Sequence, residues 1–218
     1  FFLKDISRRF NRKLKIPLNK NFVLDKLFNL NFEPLYERGK EILIKEKSYN
    51  YDNKLYSLIL HNNNCNINFV GFFQSLHYLK SFNKKELIFK QDILDKANKF
   101  LNNFRKKNTV VVGIHVRLGD YLNAINRNIY TSNAKPKLIK IFIKYFNEKY
   151  LNCKFIIFSD SIKICRTILK DVSNLYYSEN NHLIDFCSLT LCDHIVTSAS
   201  TYSWWAAYLN KNYNKEVF

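Results

Sequence analysis

Three polar clusters in this sequence each follow a run of apolar, β-branched residues: His115-Val116-Arg117-Leu118-Gly119-Asp120, Ser159-Asp160-Ser161 and Ser198-Ala199-Ser200-Thr201-Tyr202-Ser203. Arg117 leaves a buried stretch where an unmatched guanidinium would be costly, so it needs an anion. A phosphate suits its planar fork, and an ion pair with Asp120 or Asp160 would satisfy it equally well. Ser200, Thr201 and Ser203 stand just ahead of a helical segment beginning near Trp204. Their hydroxyls serve there either as N-caps or, with neighbouring backbone N–H groups, as donors to a diphosphate. His115 closes an apolar strand, as a hydrogen-bonded core histidine or as an acid–base group. Trp204 and Trp205 fall at helical positions, as core anchors or as surfaces on which a base can stack.

Other chemistries lack their anchors. The sequence contains no G-x-G-x-x-G, G-x-x-x-x-G-K-[ST], G-x-S-x-G or H-E-x-x-H, so nothing supports a dinucleotide oxidoreductase, a P-loop enzyme or the common hydrolases. With no Asp-x-Asp, there is no carboxylate pair to hold a divalent cation on a nucleotide diphosphate, and a cationic, Arg-based neutralisation takes its place. The five cysteines are scattered, odd in number and without a C-x-x-C pair. They read as reduced, buried thiols rather than as a disulfide framework or a zinc site.

The elements that must position these clusters alternate. Ile93, Ala97, Phe100, Leu101 and Phe104 recur at helical spacing, and Thr109 to Val116 is a continuous β-branched run of the kind covered on both faces. Leu138, Phe142, Tyr145 and Phe146 mark a second helix and Lys154 to Phe158 a second buried strand. Further helices are expected around Ile164 to Leu169 and from Leu183 to Cys192. A short strand follows over His194 to Thr197, and a last helix over Trp204 to Asn210. Strands alternating with helices imply right-handed βαβ units, a parallel sheet and an α/β fold. Ligands of such sheets bind beyond the carboxyl ends of the strands, where all three clusters lie. The first 92 residues are less regular, with apolar pieces at Phe22 to Leu30, Ile42 to Ile44 and Leu55 to Leu60 and a loop at Asn62 to Asn64. Residues 93–218 read as a separate Rossmann-like domain.

Four stretches in this order resemble the alpha-1,2-fucosyltransferases. Val112-Gly113-Ile114-His115-Val116-Arg117-Leu118-Gly119-Asp120-Tyr121 resembles their H-x-R-R-G-D-Y signature, and Gly71-Phe72-Phe73-Gln74-Ser75 their G-Y-F-Q-S segment. Phe158-Ser159-Asp160 resembles their F-S-D, and Ser200 to Leu209 their S-S-F-S-W-W-G-A-W-L. Asp185-Phe186 through Leu191-Cys192 resembles the helix before that last motif. The resemblance implies a GT-B-like architecture of two Rossmann-type halves, residues 1–92 being the partial acceptor-side domain and 93–218 the nucleotide-sugar-binding one. It also implies metal-independent, inverting transfer of L-fucose from GDP-beta-L-fucose to a galactose hydroxyl in alpha-1,2 linkage. Carried over, Arg117 would hold the beta-phosphate, with His115 and Asp120 ordering its loop. Ser159, Asp160, Ser200, Thr201, Tyr202, Ser203 and Trp204 would line the donor site, and Asp185 would read the guanine edge by analogy with more distant fucosyltransferases. Two departures stand out. Leu118 replaces the second Arg of the signature, which implies weaker donor binding or a compensating Lys. The family's G-N-Q-M-F segment is absent, as Phe1 lies beyond it. A fucosyltransferase-like enzyme with another donor or acceptor, or an inactive nucleotide-sugar or glycan-binding module, is the alternative.

The formal charge of +17 points to acidic partners. Yet the basic residues are spread out, with no block of five or six, which reads as a solvated, compositionally biased surface; peripheral contact with a membrane surface is the alternative, and nucleic acid is not expected. No run of about 18 uncharged apolar residues offers a spanning helix. The missing sequons and the Lys/Asn/Ile bias favour cytoplasmic assembly of a surface polysaccharide at the inner membrane; the alternative is a Golgi enzyme anchored outside this chain. Because it contains no Met, the sequence reads as a trimmed piece of a longer protein.

Overall fold

The computed structural model describes residues 1–17, 23–30, 32–36, 39–48, 50–62, 64–119 and 136–218. In chain order its elements are α1 (Phe2–Arg9), β1 (Lys15–Pro17), α2 (Val23–Leu27), β2 (Glu33–Leu35), β3 (Glu41–Lys45), α3 (Lys54–His61), β4 (Asn66–Val70), two 3-10 turns (Leu76–Leu79 and Lys84–Glu86), α4 (Gln91–Asn102), β5 (Val110–Val116), α5 (Pro136–Lys149), β6 (Cys153–Ser159), α6 (Ile162–Ile168), β7 (Leu175–Tyr177), α7 (His182–Leu191), β8 (His194–Val196) and α8 (Thr201–Leu209). They divide into two compact units, Phe1–Ile88 and Phe89–Phe218.

The second unit is built on a four-stranded parallel sheet ordered β7-β6-β5-β8. Its central strands β5 and β6 are largely apolar because both faces are covered. Alternation along β5 sends Val112, Ile114 and Val116 into one core with Ile139, Phe146, Cys165 and Leu169 of the α5–α6 layer. The other face of the sheet meets α4 and α7. Gly113 lies so close to α7 that a Cβ there would come within 2.6 Å of Leu189 Cδ1 and 2.9 Å of Cys192 Sγ. On the same side, Phe100 of α4 meets Phe158 edge-to-face at 6.3 Å between ring centroids.

Several boundaries differ from the sequence expectation. The buried stripe of α5 is Ile139 and Phe146, whereas Tyr145 is exposed. A Leu/Ile/Phe-rich helix offers two overlapping stripes, and only packing on β6 chooses between them. In α6 it is Cys165 that is buried and Ile164 that faces solvent. The strand β7 has no apolar-run signature. Its three residues, Leu175–Tyr177, pair with Phe155–Ile157 of β6 at the sheet edge. Helix α8 starts at Thr201, three residues earlier than expected, because Ser200 caps it by accepting from Tyr202 N at 3.3 Å. Cys165, Cys187 and Cys192 are buried free thiols, as expected, and burial pushes the Cys187 thiol up to about 12, which keeps it protonated.

Among its described residues the first unit holds two two-stranded parallel sheets, β1–β2 and β3–β4. Its core is aromatic: Phe2 stacks on Phe73 at 4.2 Å and meets Tyr78 and Phe69 edge-on. The Gly71-to-Ser75 segment is anchored here. The Glu46 carboxylate accepts from the backbone N–H of Phe72 at 2.6 Å and of Phe73 at 3.0 Å. A Cβ at Gly71 would collide with the Glu46 side chain, which explains the glycine.

Candidate active site

The chain runs from β5 outward through β6 to β7, then returns across the sheet to β8 on the other side of β5. The connections after β5 and β8 therefore part company at this switch point, the place in open α/β sheets outside which ligands bind. The register fixes what borders it. Val116 lies opposite Ser159 and Ile114 opposite Val196, so Arg117 comes level with Asp160, and His115–Val116 with Thr197–Ser198.

Asp160 organises the loop that leaves β5. Its Oδ2 pairs with Arg117 Nη1 at 2.7 Å, while Oδ1 accepts from Leu118 N at 3.0 Å and Gly119 N at 3.2 Å. Of the two ion pairs open to Arg117 from the sequence, the structure forms the one with Asp160. One carboxylate thus fixes both the guanidinium and the backbone beside it. Any Cβ at Gly119 would strike that carboxylate, so the position needs glycine for close approach. Asp120, the other expected partner, lies outside the described residues. The neighbouring Ser159 hydroxyl accepts from Ser161 N at 3.0 Å.

His115 is buried, with Nδ1 2.6 Å from the Ser198 hydroxyl and its ring stacked on Tyr202 at 5.0 Å. Burial pushes its pKa down to about 4, outweighing the attraction of Asp160 and joined by repulsion from Arg117. The imidazole is therefore neutral at physiological pH and ties β5 to the β8–α8 loop. Tyr202 donates its hydroxyl to His182 O at 2.6 Å, linking the starts of α8 and α7.

The serines divide in role. The Ser203 side chain is wholly buried; it donates to Ser198 O and Ser200 O and accepts from Ser198 N, so its hydroxyl holds the loop together. What the start of α8 presents to a ligand is the exposed Thr201 and the backbone N–H groups of its first turn. Trp204 is exposed rather than a core anchor, and it stacks on Tyr208 at 5.3 Å.

Asp185, in the first turn of α7, is buried and accepts from the Ser178 hydroxyl. Burial raises its pKa to about 7 against the opposing hydrogen bonds from Ser178 and Asn180. Ser178 was missed in the sequence. It follows the carboxyl end of β7, so the rule that found the other clusters would have found it had that strand been visible.

Leu118 is not a gap in the site. It continues the alternation of Val112, Ile114 and Val116 and is buried with them beneath the α5–α6 layer. The residue that departs from the signature has thus become a core residue. Among the described residues no group of three His, Cys, Asp or Glu side chains comes together to hold a metal ion.

Comparison with known proteins gives a consistent picture. The family model described as glycosyl transferase family 11 matches residues 4–217. The galactoside alpha-(1,2)-fucosyltransferase 2 of Sus scrofa is 26% identical over 141 residues, covering 61% of this chain and 42% of that protein. The alpha-1,2-colitosyltransferase of Escherichia coli is 24% identical over 155 residues, covering 68% of this chain and 52% of that protein. The chain therefore spans about half the length of these curated relatives. Among solved structures, the alpha-1,6-fucosyltransferase NodZ co-crystallised with GDP superposes with a TM-score of 0.61 at 11% identity, over 94% of this chain and 85% of NodZ. NodZ soaked with GDP-fucose gives 0.56 at 11% identity, over 95% and 86%. This likeness is one of fold, and the fold is α/β and GT-B-like.

Proposed function

The chain belongs to glycosyltransferase family 11, the family of the alpha-1,2-fucosyltransferases, and on that premise we propose that it moves L-fucose from GDP-beta-L-fucose to a galactose hydroxyl in alpha-1,2 linkage with inversion. The observation that carries this reading is the switch point between β5 and β8. It gathers an Arg clamped by a carboxylate and the N-terminus of a nine-residue helix at one end of a parallel sheet. That pairing suits a diphosphate, whose charge a guanidinium fork and unsatisfied backbone N–H groups both stabilise.

In the reaction, the bond between the fucose anomeric carbon and the beta-phosphate oxygen breaks, and its electron pair stays on GDP. The acceptor hydroxyl attacks the opposite face, and its proton is released. Negative charge therefore grows on the diphosphate as the sugar takes on oxocarbenium character. Donors preorganised toward growing charge are each worth about 2.7–4 kcal/mol in comparable sites. Arg117 is held in advance by Asp160, so no reorganisation is needed when the charge develops. His115, neutral and committed to Ser198, orders the loop instead of delivering a proton. Asp185, beside Ser178 and Asn180, would accept from the N–H edge of guanine. Thr201, Tyr202 and Trp204 would border the donor, with Ser159 and Asp160 beneath it. A cationic clamp of this kind supports metal-free chemistry.

Incubating the protein with GDP-fucose and lactose in the presence of EDTA, then reading the linkage and anomeric configuration of the product by NMR, tests this directly. An alpha-1,2-fucosylated product is expected; another linkage would refute the assignment. The colitosyltransferase relative supports a second reading, in which the donor carries a different sugar on the same nucleotide. A panel of GDP-sugars with GDP-fucose as reference separates the two.

A further inference from the structure

Helix α8 reads Thr201-Tyr202-Ser203-Trp204-Trp205-Ala206-Ala207-Tyr208-Leu209, without a charged residue in a chain whose residues are 24% charged. Its inner side is accounted for, since Ser203, Ala206, Ala207 and Leu209 are buried. Its outer side carries Thr201 and Trp204, both exposed, with Tyr208 one turn further on. Trp204 is 39% exposed, yet it is held. The Tyr208 ring lies parallel to it, at 5.3 Å between centroids and 9°, and Trp205 meets it edge-on at 5.0 Å and 87°. Two neighbouring rings thus fix the orientation of a side chain that solvent still reaches.

The indole has a direction along the helix. Side chains on a helix lean toward its N-terminus, over the turn before their own Cα. Tyr208 therefore leans back onto Trp204, and Trp204 leans in turn over Thr201. The ring face opposite Tyr208 is turned toward the start of α8, the end assigned above to the diphosphate. Its position around the helix separates it from the base. Tyr202 and Trp204, two residues apart, stand about 200° apart around the axis. Tyr202 faces α7, where it donates to His182 O and meets Phe186 edge-on at 5.1 Å. Trp204 therefore faces away from α7 and from Asp185, the residue assigned to guanine. A donor with guanine at α7 and its diphosphate at the start of α8 carries its sugar toward the other side, where Thr201 and Trp204 lie.

We propose that Trp204, backed by Tyr208 and with the Thr201 hydroxyl at its edge, is the platform on which the acceptor galactose stacks, and that it selects galactose over glucose. This rests on the function proposed above. The axial 4-hydroxyl of galactose leaves the C–H groups of C3, C4 and C5 together on one face of the ring, an apolar patch that suits an aromatic surface, whereas glucose spreads its axial C–H groups over both faces. Stacking on that patch leaves the 2-hydroxyl, which lies outside it, free to attack the donor. The hydroxyls at the rim need a polar partner, which Thr201 supplies. An uncharged surface in a strongly basic chain matches a neutral sugar rather than an anionic one.

Titrating lactose and cellobiose, with and without GDP, into the wild type, Trp204→Ala and Trp204→Phe, with binding read by saturation-transfer NMR, tests this. The wild type should prefer lactose, whose terminal sugar is galactose, to cellobiose, whose terminal sugar is glucose. Trp204→Ala should weaken lactose by about tenfold or more and remove the preference, while GDP affinity in the same samples stays within about twofold. Trp204→Phe keeps a flat ring and should retain most of the preference. An unchanged preference for lactose in Trp204→Ala would overturn the proposal. So would a parallel loss of GDP affinity, which would assign Trp204 to the donor instead. A wild type that binds GDP but no lactose would refute the platform alone; one that binds lactose selectively but no GDP would refute the proposed function and leave the platform standing.

Discussion

Asp185 and His115 carry opposite titrations within one site, and the signs can be worked out separately. His115 has a folded pKa of about 4 against 6.5 unfolded, so between those values the unfolded chain binds more protons. Its contribution is fully present above about pH 6.5 and is lost as pH falls toward 4. Asp185 has a folded pKa of about 7 against 3.8 unfolded, so between those values the folded chain binds more protons and stability falls as pH rises. Between about pH 4 and 6.5 the two act in opposite directions. Urea denaturation from pH 4 to 7 should therefore show stability falling with pH in His115→Gln and rising with pH in Asp185→Asn; equal slopes in both variants would mean that neither group is buried as described. The same carboxyl gives a functional prediction. A carboxylate accepting from the guanine edge must be ionised, so GDP affinity should weaken below about pH 7, by up to about tenfold per pH unit, and Asp185→Asn should abolish that dependence. Titration of GDP binding at several pH values checks it.

At the scale of elements, the site depends on how tightly β5 is packed on both faces. Gly113→Ala places a methyl group against Leu189 and Cys192 and should destabilise the protein by about 1–3 kcal/mol. Leu118→Arg, which restores the residue type of the family signature, should cost more than Gly113→Ala, because the side chain at this position is buried in the core beneath the α5–α6 layer. Thermal denaturation checks the order; a Leu118→Arg protein as stable as the wild type would contradict the core assignment. How legible these elements were follows from their length and covering. The continuous apolar runs of β5 and β6, and the polar residues that end them, could be read directly because a strand covered on both faces has no alternation to disguise it. Of the three-residue strands only β8, wholly buried, could be read; β1, β2 and β7 could not, since strands so short and partly exposed give neither a period nor an apolar run. The burial of Leu118 was in principle visible in the alternation of 112, 114 and 116, but the motif drew attention to what the position lacked. The stacking of His115 on Tyr202 and its bond to Ser198 join residues 83 or more apart and follow only from the placement of β8 beside β5.

As a whole molecule, the chain pairs a regular nucleotide-binding type of sheet in Phe89–Phe218 with a smaller, aromatic-cored unit in Phe1–Ile88, and carries a charge of +17. Among the described residues no helix is long and apolar enough to cross a membrane. A net charge of that size attracts anions at long range, a diphosphate included. On the function proposed above, Arg117 and the start of α8 would hold a GDP-sugar without metal. Isothermal titration of GDP-fucose and GDP in EDTA, into the wild type and Arg117→Ala, tests it most directly. Binding by the wild type that Arg117→Ala weakens at least tenfold, with Asp160 still protecting the Leu118 and Gly119 amides, is the predicted result. Equal affinity in the two proteins, or wild-type binding that appears only when divalent metal is restored, would contradict it.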